Sequence, residues 1–390
     1  MIARHTIRKL SVYPLVLLSA MQIAAVAQTR RAVPSKSKTS KTIAKKRPVV
    51  RKAVPQVDPT VGDNVDGDDL TIRRAAVNAL GGYAGSVVVV DPANGRVLTM
   101  VNQKLALQTG FIPCSTIKLV TSLAALTENV VQKDTTVRVS RYLSFNMTQA
   151  LAKSNNQYFN ILGTRLGFDR IHRYAQMLGF GEKAGLDIPG EQPGMLPETN
   201  PSTGVGMMTS FGTGISMTPL ELAGLLSAIS NGGTLYYLQY PRTEEEVEHF
   251  EPKVKRALEL APNGIADIKD GMRGAVDFGT ARRAGYDASE PILGKTGTCT
   301  DFQSSNKMGW FGSFNEVGAH RLVVVVMLTG HYNISGPIAA GVAGNIYRNL
   351  STQRYFAADT DAPAKKKSDL PEIITTMPCC STGSSGTVHR

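Results

Sequence analysis

The chain of 390 residues is long enough for one large domain or two ordinary ones, and its 42% hydrophobic content is enough for a substantial core. The formal net charge of +12 suggests a nucleic-acid partner, but residues 1–52 carry 13 of the 43 Lys and Arg and no Asp or Glu. The remaining 30 basic and 31 acidic residues nearly balance, which argues against a nucleic-acid-binding face on the folded part.

The N-terminus has the pattern of an export signal. Three basic residues precede an uncharged apolar run over residues 11–27, SVYPLVLLSAMQIAAVA, which closes on the cleavage pattern Ala-Val-Ala. A signal peptide over residues 1–27 is the preferred interpretation, and a short membrane anchor is the alternative. In either case we expect the protein to work outside the cytoplasm, in the periplasm or cell envelope.

Residues 28–69 are expected to form a basic disordered linker. Ten Lys and Arg fall between Arg30 and Lys52 among prolines and serines, without apolar periodicity. Such a composition cannot bury enough apolar surface to become ordered. A solvated tether is the preferred interpretation, and a tether that also binds anionic polymer or phospholipid headgroups is the alternative.

The folded part is expected to begin at Leu70 with a helix and a hairpin. TIRRAAVNAL (71–80) has helical spacing and is preceded by acidic capping residues. SVVVVDP (86–92) and RVLTMV (96–101) are β-branched runs separated by an Asp-Pro-Ala-Asn-Gly turn, so they predict two paired strands.

The stretch FIPCSTIKLV (111–120) places Ser115 and Lys118 three residues apart at the predicted start of an apolar helix. Residues i and i+3 share a helix face, so the hydroxyl and the amine could approach each other as nucleophile and base. Lysine acts as a base only where burial or a nearby cation destabilises its ammonium form. Taken alone, the pair is also explained by an ordinary helix start with an exposed lysine.

The remaining elements predict a mixed α/β (α+β) fold over residues 70–352. Helices are expected between residues 142 and 235, and strands and a helix after them: a strand from Pro291 ending at Lys295, strands at 308–315 and 321–330, and a helix at 336–350. This order predicts a mostly antiparallel sheet flanked by helices, with a helical subdomain inserted after its first strands. Residues 353–390 are expected to be a disordered tail.

Two further motifs carry chemistry. In AKSNNQYF (152–159), Ser154 and Asn156 are spaced so that a turn can point both side chains into one cleft. In ILGKTGTCTD (292–301), Lys295, Thr296, Gly297 and Thr298 place a cation and hydroxyls beside an open backbone, which suits a substrate strand ending in a carboxylate. Each motif alone is also explained by a cap or a turn.

Together, Ser-x-x-Lys, Ser-x-Asn and Lys-Thr-Gly in this order form the signature of the serine penicillin-recognising enzymes. Over residues 70 to 352 the chain resembles the transpeptidase domain of penicillin-binding proteins, and most closely the monofunctional, high-molecular-mass type. The resemblance includes the hairpin SVVVVDPANGRVLTMV, the segment 154–197, SFGTGISMTPLELAGLLSAISNGG (210–233) and KMGWFGSF (307–314).

The resemblance implies a role for each motif residue. Ser115 attacks a D-Ala-D-Ala stem peptide or a β-lactam, Lys118 takes its proton, and Ser154 passes a proton to the leaving amine. The other expected roles concern the substrate: Asn156 holds its amide, Lys295, Thr296 and Thr298 hold its carboxylate beside Gly297, and the N–H groups of Ser115 and Thr298 form the oxyanion hole. Peptidoglycan stem peptides, β-lactams and a membrane-bound glycosyltransferase are the implied partners, with no cofactor.

The chain departs from the family pattern in three ways. Cys114 stands where the family usually has glycine, and only 39 residues separate Ser115 from Ser154, which indicates a trimmed helical insertion. No pedestal or glycosyltransferase domain is expected in the residues before Leu70. These departures weaken the expectation of a membrane-complex role more than the expectation of acylation.

The alternatives are a serine β-lactamase, a D,D-carboxypeptidase and a non-catalytic β-lactam sensor domain. A class A β-lactamase would need a deacylating glutamate, for which Glu191 is the candidate, but its Pro-Gly-rich segment favours a structural or loop-exposed residue. Asn156 argues against a class D enzyme, and the usual multi-span context of a sensor is missing.

Cys114 and Cys299 flank the first and third motifs, so the fold should bring them close together. A disulfide is possible in an oxidising compartment, but two small buried thiols are the preferred interpretation. The six histidines are scattered, and no metal site is expected.

Overall fold

A five-stranded antiparallel sheet organises the computed structural model, which describes residues 58–301 and 304–357. The strands of the described residues are β1 (Gly85–Val90), β2 (Val97–Val101), β3 (Val137–Ser140), β4 (Leu143–Phe145), β5 (Thr234–Tyr236), β6 (Val254–Ala257), β7 (Ile292–Thr300), β8 (Lys307–Asn315) and β9 (Val323–Gly330). The order in the sheet is β2-β1-β9-β8-β7, and β3-β4 and β5-β6 form separate two-stranded sheets. Strand β7 is at one end of this order, so its side away from β8 is a free edge of the sheet.

Helices cover both faces of this sheet. They are α1 (Leu70–Leu80), α2 (Gln103–Ala106), α3 (Lys118–Thr127), α4 (Met147–Lys153), α5 (Asn156–Leu166), α6 (Phe168–Met177), α7 (Val205–Phe211), α8 (Pro219–Asn231), α9 (Glu244–Glu248), α10 (Gly264–Asp277) and α11 (Gly336–Thr352). Two 3₁₀ helices, Cys114–Ile117 and Arg282–Ala284, precede α3 and β7. The predicted α+β class, with a sheet flanked by helices, is confirmed.

The apolar runs of the sequence are central strands buried on both faces. Along β9, Val323, Val325 and Met327 pack in the core that contains α3, α5 and α8, whereas Val324 and Val326 pack in a second core with α1 and α11. A strand covered on both faces needs no polar alternation, which explains its unbroken run of apolar residues.

The early part of the domain follows the expected pattern. Asp69 caps α1, because its side chain accepts hydrogen bonds from the N–H groups of Thr71 and Ile72. Strands β1 and β2 pair as the predicted hairpin, with Val88 opposite Met100. The helix after the first motif is buried on all sides rather than along one stripe.

Two predicted elements differ in extent. The strand expected to end at Lys295 continues to Thr300 as β7, since all nine of its residues pair with β8. The stretch expected to be mostly helical, residues 142–235, begins with strand β4, which pairs with β3 just before it. It includes no regular helix or strand between residues 178 and 204. The glycines and prolines of that second segment favour turns over helix.

Parts of the predicted linker and tail contact the domain. Arg73 forms ion pairs with Asp63 (2.8 Å) and Asp68 (3.0 Å), so the chain packs on α1 before residue 70. After α11, the hydroxyl of Tyr355 donates to the carboxylate of Asp69 at 3.0 Å. The predicted signal peptide (1–27) and the predicted linker up to residue 57 lie outside the described residues, as do residues 358–390 of the predicted tail. Within the described ranges, no helix is both long and apolar enough to cross a bilayer.

Candidate active site

Ser115 lies in the 3₁₀ helix Cys114–Ile117, directly before α3, and is 9% exposed. Side chains three residues apart are eclipsed in a 3₁₀ helix, so the hydroxyl of Ser115 and the amine of Lys118 lie on one side. Their Oγ and Nζ atoms are 2.6 Å apart. The expected Ser–Lys contact is therefore present, although the serine lies in a 3₁₀ turn instead of an α-helix.

Lys118 is fully buried and has only neutral polar partners within hydrogen-bond distance. Its Nζ lies 2.6 Å from Asn156 Oδ1 and 3.2 Å from both the Oγ and the carbonyl oxygen of Ser154. Burial, and then the charge of nearby Lys295, lower the pKa of Lys118 to about 6. Most Lys118 side chains are therefore neutral amines at pH 7, which can accept a proton.

Ser154 links the two lysines of the site. It follows α4 and adopts a left-handed backbone conformation (φ 54°), while the side chain of the next residue, Asn155, caps α5. This tight connection directs the Oγ of Ser154 to within 3.2 Å of Lys118 Nζ and 2.8 Å of Lys295 Nζ. The hydroxyl can therefore pass a proton between the two amines.

Lys295 lies on β7 and is also fully buried. Its Nζ donates to Ser154 Oγ and to the carbonyl oxygen of Thr296, both at 2.8 Å. Burial lowers the pKa of Lys295 to about 7. A carboxylate bound beside it would favour the charged form of the amine, because opposite charges stabilise each other.

Gly297 allows β7 to approach the nucleophile. A Cβ at this position would lie 3.0 Å from the carbonyl oxygen of Pro113 and 3.2 Å from the Cβ of Cys114. Any side chain would push the strand away from the 3₁₀ helix. The expectation of an open backbone at this motif position agrees with this close contact.

The two threonines of the third motif make different contacts. The Oγ1 of Thr298 accepts a hydrogen bond from the N–H of Gly336 at 2.7 Å, so its own O–H remains available to donate. Thr298 is exposed, whereas Thr296 is buried and its hydroxyl lies 2.6 Å from that of Thr280. Thr298 is therefore the more accessible hydroxyl for a substrate carboxylate.

Asn156 contacts the base as well as facing the cleft. It is exposed at the start of α5, and its Oδ1 accepts from Lys118 Nζ. Among the described residues, the Nδ2 group of the same amide makes no hydrogen bond to another motif side chain, so it can donate to a substrate carbonyl. The sequence motif predicts only the substrate contact of this residue.

Thr280 is a site residue that the motifs do not identify. Besides its contact with Thr296, its N–H donates at 3.1 Å to the carbonyl of Ala152, two residues before Ser154. The preceding Gly279 has no room for a side chain, because a Cβ there would lie 2.1 Å from the same carbonyl oxygen. Thr280 thus connects the second motif to the third. The sequence signal, Gly-Thr after a helix, is too common to identify it.

A disulfide joins Cys114 and Cys299, whose Cα atoms are 5.6 Å apart. The preferred interpretation of the sequence, two free buried thiols, is therefore wrong. The predicted proximity of the two cysteines is therefore correct, but the sequence does not show whether their sulfur atoms are oriented to form a bond.

Glu191 has a structural role. It is 2% exposed, and its carboxylate accepts hydrogen bonds from the N–H groups of Gly185 (3.0 Å) and Asp187 (3.2 Å). The loop-exposed alternative is wrong, since the side chain is buried within its own turn. Among the described residues, no group of three His, Cys, Asp or Glu side chains could hold a metal ion.

The assembled site can carry out nucleophilic acyl transfer. A serine hydroxyl contacts a neutral buried amine, a second hydroxyl connects that amine to another lysine, and a free strand edge runs alongside. These are the parts of an activated nucleophile, a proton relay and a peptide-binding edge.

Comparison with known proteins agrees with this chemistry. Residues 85–348 match the family described as the penicillin binding protein transpeptidase domain. The chain is 29% identical to stage V sporulation protein D of Bacillus subtilis, over 67% of this chain and 48% of that protein. It is 24% identical to the peptidoglycan D,D-transpeptidase MrdA of Haemophilus influenzae, over 78% of this chain and 58% of that protein.

A solved structure shares the fold. The crystal structure of Pseudomonas aeruginosa PBP2 in complex with WCK 5153 superposes with a TM-score of 0.63 at 22% identity, covering 76% of this chain and 78% of that one. The chain spans about half the length of the two relatives named above.

Proposed function

Because the chain belongs to the penicillin-binding protein transpeptidase family, we propose that it is a D,D-transpeptidase that cross-links peptidoglycan stem peptides through an acyl-enzyme on Ser115. The single observation that carries the proposal is the 2.6 Å contact between Ser115 Oγ and the Nζ of buried Lys118. An amine with a pKa of about 6 is a competent base at neutral pH, whereas an ordinary lysine is not.

Acylation begins when Lys118 Nζ takes the proton of Ser115 Oγ and the oxygen attacks the carbonyl carbon of the penultimate D-Ala. The oxyanion that forms accepts hydrogen bonds from the N–H groups of Ser115 and Thr298. The C–N bond to the terminal D-Ala then breaks, and its amine receives the proton by way of Ser154, which contacts both lysines. The first product is free D-Ala, and the peptide remains esterified to Ser115.

The acyl-enzyme is resolved by a second nucleophile. The amine of a neighbouring stem peptide attacks the ester, its proton returns to Ser115 Oγ through Lys118, and a cross-link results. If water attacks the ester instead of the amine, the stem peptide is released without its terminal D-Ala and without a cross-link. A β-lactam acylates the same oxygen, but its amine stays covalently attached to the acyl group and does not leave the site.

Substrate binding follows from the free edge of β7. We propose that the stem peptide adds to this edge, with its terminal carboxylate bound by Lys295 and Thr298 and its amide bound by Asn156. Thr296 supports that arrangement through the contact of its hydroxyl with that of Thr280. A membrane-bound glycosyltransferase that supplies new glycan strands is the expected partner.

We also propose that the protein acts outside the cytoplasm. Residues 1–27 would direct export as a signal peptide or short anchor, and residues 28–57 would be a basic tether. The Cys114–Cys299 disulfide supports this location, because such bonds persist in oxidising compartments and are rare in the cytosol.

The proposal is tested by intact-mass spectrometry of the full chain over time after mixing with benzylpenicillin. We expect one adduct of the mass of the whole antibiotic, located on Ser115 and lasting for hours. An adduct that disappears with turnover would make the protein a β-lactamase, and the absence of any adduct would refute acylation. A D-Ala-D-Ala peptide with an acceptor amine then separates cross-linked products from trimmed ones.

Thr280→Val should slow acylation by about tenfold while costing about 1 kcal/mol of stability, because the buried hydroxyl of Thr296 loses its partner. Valine keeps the shape of threonine, so the backbone contact with Ala152 should remain. The matched control is Thr164→Val, which removes an exposed hydroxyl bonded to Asn160 in α5. Equal acylation rates for the two variants would show that Thr280 has no part in positioning the third motif.

A further inference from the structure

The disulfide joins the residues next to two hydrogen-bond donors of the proposed site. Cys114 directly precedes Ser115, and Cys299 directly follows Thr298. Ser115 lies in the first turn of its 3₁₀ helix, where backbone N–H groups have no partner inside the helix. Its N–H is therefore available to an oxyanion.

The backbone N–H of Thr298 points away from β8, toward the unpaired edge of β7. In the antiparallel pairing of β7 with β8, the N–H of Asp301 donates to the carbonyl of Asn306 at 2.8 Å. Backbone groups alternate sides along a strand, so the odd-numbered residues before Asp301 face β8 and Thr298 faces the free edge. The bridge thus joins the residues adjacent in the chain to the two that carry these N–H groups.

Cys114 has a backbone conformation that disfavours residues with a side chain. Its φ is 52°, in the left-handed region, where the Cβ atom crowds the following carbonyl oxygen and glycine is the favoured residue. The residue is fully buried. The left-handed conformation is less favourable for cysteine than for glycine, so loss of the bridge would remove a restraint against relaxation toward negative φ. Such a relaxation would rotate the peptide unit that carries the N–H of Ser115.

The 3₁₀ helix packs closely against β7 at Gly297, but this packing is not reinforced by backbone hydrogen bonds. In the part of the chain that the structure describes, no backbone hydrogen bond joins residues 113–117 to β7. Trp310 of β8 donates from Nε1 to the carbonyl of Ile112 at 3.0 Å, which fixes the segment one residue further away. The disulfide is the covalent connection between the helix and the strand.

We propose that the Cys114–Cys299 disulfide is a positioning device: it holds Cys114 in the left-handed conformation and so fixes the N–H of Ser115 relative to that of Thr298. This inference rests on the proposed acyl-transfer function. Oxyanion stabilisation requires both donors at about 2.7–3.1 Å from one oxygen, so a small rotation of one peptide unit weakens it strongly. The reduced protein should therefore bind substrate normally and acylate slowly.

The test compares acylation kinetics in a background where Cys379 and Cys380 are replaced by serine, so that the bridge is the only thiol pair. Stopped-flow measurements with benzylpenicillin separate the initial binding constant from the acylation rate constant. We expect Cys299→Ala, and the reduced form of the background protein, to lose about tenfold to a hundredfold in the acylation rate constant with binding unchanged. Reoxidation of the reduced form should restore the rate.

The decisive variant is Cys114→Gly combined with Cys299→Ala. Glycine adopts positive φ without a tether, so this variant should recover most of the lost acylation rate although it also lacks the bridge. A bridge that served stability alone would lower the melting temperature of both variants, and the glycine would restore no acylation.

The outcomes separate the two proposals. Wild-type acylation rates in folded Cys299→Ala, or a glycine variant as slow as Cys299→Ala, would overturn the positioning role and leave the proposed function intact. The absence of an adduct on the oxidised, bridged protein would refute the proposed function itself, and the positioning role with it.

Discussion

The Ser115→Ala variant should form no covalent adduct with benzylpenicillin, with a loss of acylation of about 10⁴-fold or more. The substitution removes the only atom that the mechanism allows to become esterified, the Oγ that contacts Lys118 Nζ at 2.6 Å. The fold should persist, because Lys118 keeps its contacts with Ser154 and Asn156 and one small hydroxyl is lost. Intact-mass spectrometry and a thermal melt measure the two effects.

Ser122→Ala is the matched control for this experiment. Ser122 is a buried serine of α3 whose hydroxyl donates to the carbonyl of Lys118 at 2.7 Å, so its removal perturbs the same helix without touching the cleft. We expect this variant to acylate at the wild-type rate. Acylation of Ser115→Ala at another serine would show that the nucleophile is misassigned.

Replacing Lys118 by methionine should have two opposite effects. Acylation should fall by about 10³-fold, since the base is lost. The free energy of unfolding at neutral pH should rise by about 2 kcal/mol, because the folded protein no longer has to bury an amine that prefers to be charged in water. Urea unfolding measures the stability change, and stopped-flow kinetics measure the acylation rate.

The pH dependence of both quantities follows from the same buried amine. The pKa of Lys118 is about 6 in the folded protein against 10.5 for an ordinary lysine, so the unfolded chain binds more protons between those values. The stability contribution of Lys118 should therefore fall as the pH is lowered from about 10 to 6. Lys118→Met should lose this part of the pH dependence and keep the part due to Lys295, whose pKa is lowered to about 7. The wild-type acylation rate should rise with pH through about 6, as the amine loses its proton.

Lys104→Met provides the control, because Lys104 is an exposed lysine of α2. It should change neither the acylation rate nor the pH dependence of stability. A wild-type acylation rate in Lys118→Met would show that Lys118 is not the base. Lys295 would then be the candidate base, because its amine is also buried and contacts Ser154.

The sequence predicts the site well where chemistry depends on short spacing. Ser115 and Lys118 are close because three residues form about one turn, and this holds whether the turn is α-helical or 3₁₀. The sheet could likewise be predicted, since runs such as Val323–Gly330 are too apolar for an exposed strand. In both cases the information lies within ten residues of the chain.

What the sequence does not predict depends on distant segments. Thr280 becomes important only because the chain after α10 passes between Ala152 and Thr296. The sequence predicts that Cys114 and Cys299 are close, but the disulfide also depends on how their side chains are oriented where β7 packs on the 3₁₀ helix. The burial of Lys118 and Lys295, and hence their lowered pKa values, also arises only when the helices close over the sheet.

The position of β9 between β1 and β8 has a consequence for how the protein is made. Val87 pairs with Val326, about 240 residues later in the chain, so the centre of the sheet cannot form until almost the whole domain has been synthesised. Until then the valines of β1 lack their partners and expose an unpaired apolar edge. Such a chain folds slowly and is prone to aggregate while incomplete. The catalytic cleft, which lies beside β7, can therefore form only after the last three strands have joined the sheet.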